Sequence, residues 1–204
     1  MINNELKEYI ELNILPKYKL LDLAHSGSHV HDVIDKSLEI AKDYDVNLNM
    51  VYTIAAFHDL GLIVERERHH IISGQMLLED NFIKNLFTLE ELVNMKEAVE
   101  DHRASSKNSP RTIYGKIVAE ADRSDTMETI IKRTILFRAK NSESFESIYS
   151  DIYKHIEEKY GENGYLKVWL DTKYTRKMLY DIRTLLKNPT AFKEYTKNIY
   201  DTLK

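Results

Sequence analysis

Apolar residues recur at helical spacing along almost the whole chain, and no stretch alternates long enough to read as a strand. Leu6, Tyr9, Ile10 and Ile14 mark a first helix that Asn4 can cap and Pro16 stops. Val30, Val33, Ile34, Ser37, Leu38 and Ala41 mark a second, with Ser28 as its natural cap. Val51, Ile54, Ala55 and His58 share one face of a third; Gly61 offers the left-handed residue that ends it, so His58 and Asp59 fall in its last turn. A fourth amphipathic run follows His69-His70, with His70 and Gly74 on one face. Thr88 and Glu91 have capping-box spacing and open a helix through Leu92, Met95, Val99 and His102. Thr112 begins another, in which Gly115, Val118, Ala119 and Asp122 lie on one face. Beyond Met127 the pattern stays helical. One stripe runs from Phe145 to Tyr160 and stops at Gly161, a segment opens at Tyr165 to Trp169, and Asn188-Pro189 breaks the chain before Phe192, Tyr195 and Ile199. The pattern predicts an all-α protein. The tyrosine-rich stripes read as core with hydroxyls reaching water.

Composition narrows the class. The 204 residues are enough for one well-buried core, which predicts a single domain over 1–204. A net charge of -4 supplies no general attraction to a nucleic acid polymer or an anionic membrane, so a phosphorylated small molecule must be drawn in locally. The absence of cysteine removes disulfides and thiolate sites and leaves His, Asp and Glu as metal donors. The N-terminus has no basic-then-apolar pattern, and no apolar run approaches the ~20 residues of a membrane span, which predicts a soluble, cytoplasmic protein. The aromatic C-terminal helices either complete the core or bury against a second copy, so a homo-oligomer is open.

The candidate chemistry lies on the edges of the apolar stripes. His29 sits in the first turn of the second helix, beside Val30, while His25 and His31 read as polar surface or capping residues. His58 and Asp59 end the third helix, and imidazole with carboxylate is a donor set for a divalent ion. His102 ends an apolar face beside the polar loop Arg103 to Pro110, the kind of loop that admits a substrate. Asp122 stands on a stripe of small and apolar residues, where a carboxylate needs a metal or a cation to offset its desolvation. Arg123 is adjacent but faces about 100° away. No repeat, heptad or Gly-rich phosphate loop accompanies these residues.

The order His29, His58-Asp59, Asp122 resembles the HD-domain superfamily of metal-dependent phosphohydrolases. Ser28-His29-Val30-His31-Asp32-Val33 is similar to that family's first motif, Ala55-Ala56-Phe57-His58-Asp59-Leu60-Gly61 to its signature, and Glu120-Ala121-Asp122-Arg123-Ser124-Asp125 to its last. The resemblance covers about residues 20 to 130, with 131–204 as additional C-terminal helices. It implies an all-helical fold and one divalent ion (Mn, Mg, Co, Ni, Fe or Zn) held by His29, His58, Asp59 and Asp122. His70 and His102 stand where family members either ligate a second metal or donate to a phosphate. Leu62 stands where one nucleotidase subgroup carries a catalytic Glu, a departure from that subgroup. The implied activity is hydrolysis of a phosphoester or phosphoanhydride in a small, nucleotide-like molecule. Asp59 would hold metal and water, and His70, His102, Lys116 and Arg123 would meet charge on the phosphoryl group. Two other readings are a di-iron oxygenase of the same fold and a module that binds metal and nucleotide without turnover.

Overall fold

The computed structural model describes residues 1–20, 27–103, 108–139 and 144–203, without the side chains at 27 and 28. The expected roles of His25, of the Ser28 side chain as a cap, and of part of the Arg103 to Pro110 loop lie outside the described residues. Those residues fold as helices with no strand, and they cluster as two compact units, Met1–Arg123 and Ser124–Lys204, where the sequence suggested one domain.

The first unit holds α1 (Asn4–Asn13), a 3₁₀ turn (Leu15–Leu20), α2 (Gly27–Ala41), α3 (Leu48–Phe57), a 3₁₀ turn (Leu60–Ile63), α4 (His69–Glu79), α5 (Asn81–Leu86), α6 (Leu89–Asp101) and α7 (Ile113–Arg123). Its centre is α3. Every residue from Met50 to Phe57 is buried, so this helix is apolar all round and not on one face only. It packs against α1, α2, α4, α6 and α7, which explains why a ten-residue helix carries no polar side. The fully buried Tyr18 reaches α3 from the 3₁₀ turn, its hydroxyl donating to the Ala56 carbonyl at 2.9 Å.

Local signals set several ends. Asn3, one residue before the expected cap, accepts from the Leu6 amide. Both halves of the Thr88–Glu91 capping box form at the start of α6. The third helix stops at Phe57, earlier than its apolar spacing suggested, and His58 and Asp59 sit in the turn beyond.

The second unit holds α8 (Met127–Arg138), α9 (Phe145–Tyr160), α10 (Lys173–Leu186) and α11 (Pro189–Thr202). Ile131, Ile135, Ile148, Ile152, Ile156, Ile182 and Phe192 form its core, each contributing about 1.5–3 kcal/mol of burial. Tyr149 and Tyr153 pack against that core as expected of amphipathic aromatics. The segment opened by Tyr165 is not helical: α10 begins only at Lys173, where Thr172 caps it. Asn188 caps α11 with Pro189 at its start.

Candidate metal centre

Five elements of the first unit deliver side chains to Asp59. His29 comes from the first turn of α2, His58 and Asp59 from the end of α3, His69 from the start of α4, His102 from the end of α6, and Asp122 from the last turn of α7. His29, His58, Asp59 and His102 are buried, at 5%, 0%, 5% and 2% exposure. The Asp122 and His69 side chains keep 19% and 14%, so the centre meets solvent on their side.

The Asp59 carboxylate divides the donors. Its Oδ2 lies 3.5 Å from His58 Nε2 and 4.0 Å from His29 Nε2. Its Oδ1 lies 3.2 Å from His102 Nε2 and 3.4 Å from His69 Nε2. Asp122 Oδ1 joins the first set, 3.1 Å from His29 Nε2 and 3.8 Å from His58 Nε2. Two donors bound to one ion at about 2.1 Å stand roughly 3.0–3.4 Å apart in octahedral or tetrahedral geometry. The separations are on that scale. Two donor groups therefore share one residue: His29 with His58 and Asp59, and Asp59 with His69 and His102.

The hydrogen bonds suit cation binding. His58, His69 and His102 each use Nδ1 against the carbonyl three residues earlier: Ala55 at 2.7 Å, Arg66 at 2.7 Å and Val99 at 2.6 Å. A carbonyl only accepts, so in the neutral rings the proton is on Nδ1 and the Nε2 lone pair is turned to Asp59. His58 Nε2 is buried with no hydrogen-bond partner, an arrangement that disfavours itself unless something occupies the space it faces. A divalent cation fits that donor set.

The charges are strongly coupled. Burial alone would raise the Asp59 carboxyl, but His58 and His102 outweigh it and hold the group well below the usual carboxylate range. Burial likewise opposes the charge on Asp122, and the His29 hydrogen bond with the His58 field reverses that, so its pKa is lowered. For His58, burial is outweighed by Asp59 and Asp122, and its pKa rises from 6.5 to about 9. His69 moves the other way, burial lowering it. Burial and the neighbouring His69 push His70 down to about 4.

The structure thus brings together His29, His58, Asp59, His102 and Asp122, and it adds His69, which the sequence reading passed over for His70. Gly74 explains the exchange. A Cβ there would lie 3.1 Å from the Lys96 carbonyl and 3.1 Å from Glu100 Cγ, so the face that His70 shares with Gly74 is the crowded α4–α6 contact. His69 shares the opposite choice of face with Ser73, which turns towards Gly61 and the centre. His70 touches the donor cluster through a ring contact to His69, with centroids 5.5 Å apart. The available signal was the His69–Ser73 pairing four residues apart, indistinguishable in the text from His70–Gly74. Of the expected phosphate contacts, Lys116 lies about 9 Å along α7 from Asp122 and roughly 120° round it. Arg123 is buried, with Nε donating to the Ala119 carbonyl at 2.7 Å. Arg103 is a further cation beside the centre. It follows His102, and its Nη1 donates to the carbonyl of Glu67, two residues before His69, at 2.8 Å.

The comparisons agree with this geometry. The HD domain family model matches residues 27–127, which include all six donors. No curated protein matches the chain. A solved structure of a predicted HD superfamily hydrolase from an uncultured Thermotogales bacterium is 20% identical, covering 98% of this chain and 94% of that one, with a TM-score of 0.55. At that identity the likeness speaks for the fold.

Proposed function

Residues 27–127 form an HD domain and place the chain in the HD-domain superfamily, and from that premise we propose that it is a metal-dependent phosphohydrolase acting on a phosphoester or phosphoanhydride of a small, nucleotide-like molecule. One observation carries the reading: the Asp59 carboxylate faces two histidines with each oxygen, His29 and His58 on one side, His69 and His102 on the other. That arrangement suits two divalent ions, the first completed by Asp122 and the second left with fewer protein donors and room for substrate. Divalent ions supply a low-pKa water and polarise a phosphoryl oxygen.

The chain's own residues do the rest. Asp59 orients both donor sets, and the three Nδ1–carbonyl bonds hold the rings so that the site is preformed. His102 belongs among the donors in this reading. His70, neutral at physiological pH and on the α4–α6 face, brings no charge to the site. Among the described residues, Arg103 is a cation suited to a phosphoryl group: it is tethered between the His102 and His69 segments, and its charge acts on both His69 and His70.

Phosphate release from a panel of nucleotides and phosphoesters, with Mn, Mg, Co, Ni, Fe or Zn, tests the proposal. Release from a narrow substrate group, abolished in Asp59→Ala, is expected; no release with any of these metals overturns it. The six-donor set also suits a di-iron oxygenase, because imidazole and carboxylate bind iron well. Two irons per chain with oxygen uptake and no phosphate release would establish that second reading.

A further inference from the structure

The two donor sets meet at Asp59 but reach it on different pieces of chain. His58 and Asp59 leave the end of α3, whereas His69 opens α4. Gly61 fixes the distance between those pieces. Its amide donates to the fully buried Ser73 Oγ at 2.8 Å. A Cβ at position 61 would stand 2.3 Å from the His69 carbonyl oxygen, 2.8 Å from the Ser73 nitrogen and 3.0 Å from Ile72 Cβ. The nearest two are backbone atoms, which cannot swing aside as a flexible side chain can. Any larger residue therefore pushes the first turn of α4 away from Asp59. The His69 ring moves with that turn, because His69 is its first residue and the bond from Nδ1 to the Arg66 carbonyl fixes the ring against the chain entering the helix. The other set approaches the opposite oxygen of Asp59 from α2 and the end of α3, with Asp122 of α7 set against its two histidines.

We propose that Gly61, seated on Ser73 and the His69 carbonyl, is the positioning residue for the second divalent ion, setting the 3.4 Å Asp59–His69 separation and so deciding whether the chain holds two ions or one. This rests on the two-ion reading of the same site.

The test loads intact protein with Mn²⁺, counts ions per chain by elemental analysis, and records magnetic coupling between Mn²⁺ ions, which two ions bridged by one carboxylate display. Wild type is expected to hold two coupled ions. Gly61→Ala is expected to hold one uncoupled ion with unchanged helicity, as His69→Ala does. Ser73→Ala, which creates no clash, is expected to weaken the second ion about tenfold or more and leave the first within about twofold, the scale of outer-contact losses at metal sites. If Gly61→Ala does not fold, Ser73→Ala decides alone. Retention of two coupled ions in the folded variants, or loss of both ions together, overturns the role of Gly61. One ion per wild-type chain overturns it along with the two-ion reading, and phosphate release by that one-ion protein would leave the hydrolase reading standing.

Discussion

Asp59 is the residue on which the centre turns, because each of its oxygens faces a different pair of imidazoles. On the proposed two-ion hydrolase reading, Asp59→Ala is expected to lose both ions and all phosphate release while far-ultraviolet circular dichroism stays unchanged; a metal-free but active variant refutes that role. His58 carries a second prediction. Burial lowers its pKa, Asp59 and Asp122 raise it by more, and the net position is about 9 against 6.5 unfolded. A group raised on folding stabilises the fold fully below its unfolded pKa and loses that contribution as pH climbs through the folded one. Chelator-treated protein should therefore lose up to about 3 kcal/mol from this group between pH 6.5 and 9, measured by urea denaturation. Ion affinity should run oppositely and strengthen over the same interval, since the ion competes with the proton. A flat stability profile with flat affinity removes the coupling between His58 and the carboxylates.

Helices and their ends decide what each residue can reach. Gly61 ends up in a 3₁₀ turn with no left-handed backbone angle, so its lack of a side chain serves the close approach of α4 and not a helix stop. Helix α6 is held differently at its two ends, by the Thr88 box at its start and by His102, bonded to the Val99 carbonyl, at its finish. Thr88→Ala should cost about 1 kcal/mol of stability, read by denaturation, without changing ion content, because the cap lies thirteen residues of helix away from the donor. Ile54→Ala in α3 is expected to cost about 2–5 kcal/mol, since Ile54 is fully buried in the helix that every neighbour packs against. A cost under about 1 kcal/mol would mean that α3 is not the centre of the unit.

For the molecule as a whole, the six candidate donors lie within Met1–Arg123, and Ser124–Lys204 has a hydrophobic core of its own. Among the described residues no helix is long and apolar enough to cross a membrane. An ion that binds only the folded first unit stabilises it by mass action, about 2.7 kcal/mol at a hundredfold excess over its dissociation constant. Adding Mn²⁺ to chelated protein should raise the melting temperature in a concentration-dependent way, and Asp59→Ala should abolish the rise. A rise that survives the substitution places the ion elsewhere.

The all-helical class was legible in the text, because helical periodicity is local, and so were the four residues read as ligands, His29, His58, Asp59 and Asp122, which the fold brings together; His102 was read first as a phosphate contact, and its place beside Asp59 came from the fold. The Thr88 cap, the Asn188-Pro189 break and the Phe145 to Tyr160 stripe were legible for the same reason. What one-dimensional spacing leaves degenerate is helix rotation: His69 and His70 differ by about 100°, and which one faces Asp59 depends on Gly74 packing into α6 and Gly61 fitting beneath the His69 carbonyl. The burial of α3 on every side and the division into two units were equally out of reach. These follow from contacts between residues far apart in sequence, and only the folded chain brings them together.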